Sequence, residues 1–234
     1  MNEVWRAGAR FRGGDAGAGI ETLHAFSFGR FYDPDNLSFG ALIACNEERL
    51  EPGAGFASHP HRDTEIVTWV VEGELTHRDS AGNTTVVRPG DVQRLGAGSG
   101  VRHEERNEGE RPLVFVQMWL TPREPGGEPE YEIVRGIADR TPLAVDRAEA
   151  DLHIRRPDAG TRIVLPDAPL LYAHVVRGAV RLAAPGTPGT GVPETGADAD
   201  GELLGPGDAA RITDCRGRFL VAEEPSELLL WELP

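Results

Sequence analysis

Lysine is absent from this chain of 234 residues, in which all 24 basic side chains are arginine. Without a lysine amine, Schiff-base chemistry and a lysine-anchored pyridoxal cofactor are excluded. Positive charge is scarce as well, since 38 acidic residues leave a formal net charge of −14. Phosphate backbones and anionic lipids repel such a chain, so we expect neither a nucleic-acid partner nor a membrane partner.

Cysteine and long apolar runs are also scarce. The chain has two cysteines, Cys45 and Cys215, which form no Cys-x-x-Cys pair and no framework of the secreted type. This usage predicts a reducing compartment. The sequence has neither the apolar core of a signal peptide near its first residues nor a run of about 18 apolar residues. We therefore expect a cytoplasmic protein.

Glycine and proline are abundant, with 29 and 18 residues respectively. They separate short runs of apolar and β-branched residues, a spacing that is typical of antiparallel sandwiches and barrels. The sequence therefore predicts an all-β protein. The clearest predicted strands are residues 64–71, 75–79, 84–87, 91–95 and 113–120 in the first half, and 161–165, 170–176, 179–183, 209–213 and 218–222 in the second.

The two halves of the chain carry the same pattern. Val70-Val71-Glu72-Gly73 is followed by Arg88-Pro89-Gly90-Asp91, and Val175-Val176-Arg177-Gly178 is followed by Gly205-Pro206-Gly207-Asp208. A strand that ends in x-Gly and a later Pro-Gly-Asp turn thus occur twice in the same order. This indicates two copies of one β unit.

A Pro- and Gly-rich segment, TPREPGGEP at residues 121–129, separates the two halves. Such a composition is typical of a linker. We expect an N-terminal domain at residues 1–122, a linker region at 123–150 and a C-terminal domain at 151–234. Residues 185–201 have no apolar periodicity and predict a long exposed hairpin loop.

The strongest chemical pattern is His59-Pro60-His61, followed some forty residues later by His103-Glu104-Glu105. Residues i and i+2 of a strand share one face, so two such strands would direct three imidazoles and the Glu105 carboxylate to one point. Glu104 would face solvent. Such a donor set suits a first-row metal with positions left for water or substrate.

The second half has no equivalent donor set. We align Tyr172-Ala173-His174 with the His-x-His segment, which leaves one imidazole, and no His-x-Glu follows Asp208. The sequence therefore predicts a C-terminal domain without a metal site.

Two longer segments resemble a known family. They are HPHRDTEIVTWVVEGELTHRDSAGN at residues 59–83 and PGDVQRLGAGSGVRHEE at 89–105, and both are similar to the pirin family, in particular to its bacterial quercetinase-type members. Gly53, His59, His61 and Glu65 also match the first cupin motif. The resemblance implies two tandem cupin domains, which are jelly-roll-like antiparallel β-barrels.

The resemblance also implies an activity. His59, His61, His103 and Glu105 would hold one divalent metal, with Fe(II) expected, although the same ligands accept Cu, Ni, Mn, Co or Zn. The implied reaction is that of a quercetin 2,3-dioxygenase, in which O2 cleaves a flavonol-like enol or phenol and carbon monoxide is released. Glu105 would also be catalytic, as the acceptor of the substrate's hydroxyl proton.

Other interpretations remain open at this stage. The chain could be a pirin-like metal-binding regulator that binds a protein partner without turnover, or an isomerase or hydrolase that uses the metal as a Lewis acid. Glu65 is expected to support the site, and Arg94 and Arg106 depart from the family pattern. We expect a monomer, because two tandem domains would cover each other.

Overall fold

The computed structural model describes residues 2–183 and 201–234, so all of the predicted 185–201 loop except Gly201 lies outside the described residues. In the first half the strands are β1 (Asn2–Trp5), β2 (Phe11–Asp15), β3 (Ile20–His24), β4 (Leu42–Leu50), β5 (Gly55–His61), β6 (Glu65–Glu72), β7 (Leu75–Asp79), β8 (Thr84–Val87), β9 (Val92–Gly96), β10 (Val101–Arg106), β11 (Leu113–Leu120) and β12 (Glu130–Val134). In the second half they are β13 (Pro142–Val145), β14 (Ala150–Arg155), β15 (Arg162–Val164), β16 (Leu170–Arg177), β17 (Val180–Leu182), β18 (Glu202–Leu204), β19 (Ala209–Thr213), β20 (Phe219–Ala222) and β21 (Glu227–Leu233).

Helical structure in the described residues is confined to three single 3-10 turns, Ala7–Ala9, Ala16–Ala18 and Asp146–Ala148. The predicted all-β class is therefore confirmed. Across the described residues, no helix has the length and apolar character that crossing a bilayer requires.

Two compact units divide the chain. One contains residues 10–137 and 145–149, and the other contains residues 1–9, 138–144 and 150–234. In the first unit, a seven-stranded sheet has the order β12-β9-β6-β11-β4-β3-β2, and a four-stranded sheet has the order β5-β10-β7-β8. In the second, a six-stranded sheet has the order β1-β19-β16-β21-β14-β13, and a four-stranded sheet has the order β15-β20-β17-β18. The pairings β5–β10, β6–β11, β16–β19 and β17–β20 are antiparallel, as the predicted jelly-roll-like architecture requires.

The two units repeat one topology. The order β9-β6-β11-β4 in the first large sheet corresponds to β19-β16-β21-β14 in the second, and β5-β10-β7-β8 corresponds to β15-β20-β17-β18. The two Pro-Gly-Asp turns also match: Asp91 Oδ2 accepts a hydrogen bond from the Arg88 amide, and Asp208 Oδ2 accepts one from the Gly205 amide. The sequence pattern that occurs in both halves thus corresponds to a structural repeat.

The observed units differ from the expected domain boundaries at three places. Residues 2–5 form β1 and pair with β19, so the start of the chain belongs to the second unit. The expected linker region contains β12, which pairs with β9 of the first unit. Residues 145–149 also belong to the first unit. A composition typical of linkers does not reveal such pairings, because they join residues far apart in the sequence.

The structure also corrects one alignment within the repeat. Tyr172 and His174 lie on β16, which corresponds to β6 rather than to the His-x-His strand β5. The counterpart of β5 is β15, whose Ile163 packs in the core of the second unit. Among the described residues, both clusters of potential metal ligands lie in the first unit.

Apolar side chains form a core within each unit. In the first unit, Leu50, Val70, Leu75 and Phe115 are fully buried in one cluster. In the second, Leu171, Val175, Leu220 and Leu230 occupy the equivalent interior. Each cluster draws residues from both sheets of its unit, so burial of their apolar faces holds the sheets together and fixes the strands that carry the polar site.

Glycine ends the central strand of each unit where the backbone reverses. Gly73 has φ +81°, and an added Cβ would lie 2.7 Å from the Pro112 carbonyl oxygen. Gly178 has φ +77°, and its Cβ would lie 2.5 Å from the Pro225 carbonyl oxygen. Both positions therefore require glycine for its left-handed conformation and for its lack of a side chain.

The Gly73→Ala variant tests this requirement against a matched control, Gly82→Ala. Gly82 also has a left-handed φ, of +97°, but an added Cβ would meet no atom within 4 Å. We expect Gly82→Ala to cost about 1–2 kcal/mol of unfolding free energy from backbone strain alone. Gly73→Ala should cost more, because the clash adds to the strain. Equal losses of stability in urea denaturation would contradict the clash.

Candidate metal centre

Pairing of β5 with β10 brings the two histidine segments together. In the antiparallel register His103 lies opposite His59, and Val101 lies opposite His61. The Nε2 atoms of His59 and His103 are 3.0 Å apart. One ring nitrogen from each of His59, His61 and His103 lies within 4.8 Å of the other two. The structure thus brings the three predicted imidazoles to one point.

A β-bulge shapes the His59 side of this cluster. The register of the β5–β10 pairing shifts between His103 and Glu105. Glu105 lies opposite Phe56, so Glu104 alone faces two residues of β5, Ala57 and Ser58. One of those two, Ala57, holds the His59 Nδ1 atom through its carbonyl oxygen at 2.8 Å. A carbonyl oxygen only accepts, so Nδ1 carries the hydrogen and the neutral ring presents the lone pair of Nε2. The bulge therefore orients His59 as a ligand.

The other two imidazoles are neutral, and each has one buried ring nitrogen without a hydrogen-bond partner among the described residues. Burial, reinforced by the neighbouring rings, lowers the pKa of His61 to about 4 and that of His103 to about 3. Neither His61 Nε2 nor His103 Nδ1 has a hydrogen-bond partner, although both atoms are buried. Three clustered imidazoles, two of them held neutral by burial, fit the donor set of a first-row metal.

Glu105 is held beside this cluster by a chain of side chains from β11. Both of its carboxylate oxygens accept hydrogen bonds from Gln117 Nε2, at 2.9 and 2.8 Å. Gln117 Oε1 in turn accepts one from Trp119 Nε1 at 2.9 Å. The Glu105 carboxylate groups with His77 and His103 rather than with all three clustered imidazoles. Its place as a fourth ligand therefore stays a prediction.

His77 lies behind His103. Its Nε2 atom is 3.1 Å from Asp79 Oδ2, and both side chains are fully buried. The carboxylate also accepts hydrogen bonds from the Asn83 side chain and backbone, at 2.8 and 3.0 Å. With Asp79 as acceptor, the hydrogen of a neutral His77 lies on Nε2, and its buried Nδ1 has no partner. Asp79 thus fixes the orientation of a fourth imidazole at the site.

The remaining singled-out residues lie outside the cluster. Glu65 is fully buried, and its carboxylate pairs with Arg94 at 3.1 Å and Arg147 at 3.3 Å. Glu104 is partly exposed and forms an ion pair with Arg78. Arg106 donates to the Gly53 carbonyl oxygen at 2.7 Å. Neither Arg94 nor Arg106 lines the cavity at the site.

A cavity of about 530 Å³ opens beside His59 and Glu105. Four aromatic rings line it together with a polar row on β3 and β4, in which Thr22 lies opposite Glu48 and His24 opposite Asn46. The lining aromatic residues are Phe28, Phe31, Phe56 and Trp119. Sequence reasoning missed this wall. The available signal was weak, because Asn46 and Glu48 stand at alternate positions of β4 but charged Glu47 and Arg49 alternate with them.

Glu48 is the most unusual member of the polar row. Its side chain is buried, and Thr22 Oγ1 donates a hydrogen bond to its Oε2. Burial, with a smaller contribution from the charge of Glu105, raises the pKa of Glu48 to about 8 despite this bond. The carboxyl is therefore neutral at pH 7 and can donate as well as accept a hydrogen bond.

The raised pKa of Glu48 predicts a pH-dependent stability for the metal-free protein. Between the unfolded value near 4.5 and about 8, the folded state holds a proton that the unfolded state releases. This stabilisation is complete below 4.5 and is lost as the pH rises through 8. Removal of the carboxyl in Glu48→Gln should flatten the fall in stability between pH 5 and pH 8.5, measured by urea unfolding. A slope identical to that of the wild type would contradict the neutral carboxyl.

The Pirin family profile matches residues 8–120 of this chain. A pirin-like protein of Caulobacter vibrioides is 36% identical over 218 residues, covering 90% of this chain and 91% of the relative. The chain belongs to the pirin family.

Two further comparisons, both with Escherichia coli proteins, cover at least 92% of the chain. A protein named quercetin 2,3-dioxygenase is 33% identical over 221 residues, 92% of each chain. The crystal structure of the bacterial pirin YhhW in complex with nickel(II) has a TM-score of 0.83 and 29% identity, covering 100% of this chain and 99% of that one. These similarities extend across both units, so the pirin assignment is not limited to the motif region.

Proposed function

We propose that this chain binds one divalent metal through His59, His61, His103 and Glu105 and is a dioxygenase of flavonol-like substrates. The convergence of three imidazoles on one point carries the proposal. Relatives named quercetin 2,3-dioxygenase support the reaction, and the nickel complex of a pirin neighbour supports a metal at this site. Iron(II) is the proposed metal on the basis of the pirin resemblance, and it would make O2 chemistry on a bound enolate accessible.

The residues around the site fit this role. A divalent metal held there would lower the pKa of a bound enol or phenol oxygen and make the electron-rich substrate accessible to O2. The Glu105 carboxylate, buried and oriented by Gln117, would accept the hydroxyl proton of the substrate. Phe28, Phe56 and Trp119 give the cavity apolar walls that suit a flat aromatic ring and exclude water.

The polar row would set substrate preference within this class. The Glu48 carboxyl and the Asn46 side chain line the same cavity as His59. Neutral hydrogen-bonding groups on an aromatic-lined wall suit ring hydroxyls, which both donate and accept. A polyhydroxylated flavonol such as quercetin therefore fits the cavity better than an unsubstituted one.

The decisive experiment is quercetin turnover by the whole chain reconstituted with Fe(II). We expect loss of flavonol absorbance and release of carbon monoxide under air, and neither under nitrogen. His61→Ala should abolish stoichiometric metal binding and turnover, whereas His153→Ala should retain both. His153 is a suitable control because it pairs with Glu232 in the other unit.

Two outcomes would overturn the dioxygenase. A chain that holds metal through these histidines but leaves quercetin untouched under air would be a binding protein, and its co-purifying partner would be the next target. Turnover that continues under nitrogen would indicate Lewis-acid chemistry instead. Reconstitution with Ni, Cu, Mn, Co or Zn in the same assay would test the choice of iron.

Gln117 provides a separate test of how Glu105 is held. Gln117→Leu removes both hydrogen bonds to the carboxylate, and we expect metal affinity or turnover to fall by about 10–100-fold. Trp119→Phe keeps a ring in the cavity but removes the donor to Gln117, so its effect should be smaller. If Gln117→Leu binds metal and turns over quercetin like the wild type, then Glu105 needs no such orientation.

A further inference from the structure

A second cavity lies in the unit that has no metal-ligand cluster among its described residues. It has a volume of about 430 Å³, and its charged lining consists of Arg140, Arg155, Arg156, Arg162, Asp139 and Asp158. Four guanidinium groups against two carboxylates leave two excess positive charges. The cavity lining is therefore positively charged, although the whole chain has a net charge of −14. The local charge therefore differs from what composition alone would give.

Three of the four arginines have protein contacts that account for their charge or position. Arg140 Nε is 3.4 Å from Asp139 Oδ2, and Arg156 Nε is 3.9 Å from Glu227 Oε2. The Arg162 guanidinium lies over the Phe219 ring, 3.7 Å from its centroid. These three side chains thus have attractive partners within the protein.

Arg155 differs from the others. Within residues 2–183 and 201–234, no carboxylate lies within ion-pair distance of its guanidinium, and its buried Nε has no hydrogen-bond partner. Burial lowers the pKa of this guanidinium; the charge of Asp139 opposes that shift and the charge of Arg140 adds to it. A partly buried cation that faces another cation is costly unless an anion joins them.

We propose that this cavity is a binding site for a small dianion or polyanion bearing carboxylate or phosphate groups, with Arg155 as its central contact. An anion with two negative charges would neutralise the excess positive charge of the cavity lining. Guanidinium groups bind carboxylates and phosphates through paired N–H donors, so the arginines match both classes. The volume lies within the range of small-molecule sites, about 300–1,000 Å³. The site does not depend on the proposed dioxygenase activity.

Isothermal titration of the whole chain with inorganic phosphate and with succinate, at constant ionic strength set by chloride, tests the proposal. We expect saturable binding of at least one anion. Binding of phosphate alone would identify phosphorylated compounds as the class, and binding of succinate alone would identify carboxylates. The same titrations on His61→Ala should give the same affinity, because metal at the other site is not required.

Three charge variants locate the site. Arg155→Gln and Arg140→Gln should each weaken binding by roughly tenfold or more, since a hydrogen bond to a charged group contributes about 1.5–3 kcal/mol. Arg216→Gln removes the same charge from an exposed position of the same unit, outside the cavity, and should leave binding unchanged.

Two results would overturn the proposal. One is the absence of saturable heat with both anions. The other is equal affinity in Arg140→Gln, Arg155→Gln and Arg216→Gln. If Arg155→Gln fails to fold, Arg140→Gln decides alone, because the Arg140 side chain is 73% exposed and its replacement disturbs no core packing.

Discussion

The candidate metal centre depends on a single strand pairing, that of β5 with β10. The pairing sets His59 opposite His103, and its bulge turns the Ala57 carbonyl towards His59 Nδ1. Without the register shift, the residue opposite Glu105 would be Ala57, whose carbonyl now orients the imidazole. A local irregularity of the ladder thus selects the tautomer that exposes a metal-binding lone pair.

Around that pairing, the first unit uses its large sheet as a support for the site. Gln117 and Trp119 on β11 hold the Glu105 carboxylate, and the polar row on β3 and β4 forms the far wall of the cavity. Buried polar groups are costly unless they are paired, which explains why Glu48 stays neutral and why Asp79 holds His77. The same low-polarity surroundings keep His61 and His103 unprotonated and available to a metal.

The two units show how one topology can carry different chemistry. Their central strands follow the same order, yet the counterpart of the histidine strand β5 is β15, with Ile163 in the core and Arg162 at the arginine-lined cavity. The backbone pattern is maintained by burial and by glycines at the strand reversals, so individual side chains on these strands can differ between the units. The same architecture therefore presents clustered imidazoles in one unit and cationic groups in the other.

The sequence by itself determined the all-β class, most strand positions and the three histidines that converge, because strand periodicity and ligand chemistry are local properties. It missed β2 with its paired glycines, β12 within an apparent linker, and the pairing of β1 with β19. Only the tertiary structure decided that Glu48 and Gln117 face the site and that Glu65 is bound by two arginines. It also decided that Arg155 has no acidic partner within residues 2–183 and 201–234. Those features arise from pairings between distant strands, and no local pattern specifies which side chains such pairings bring together.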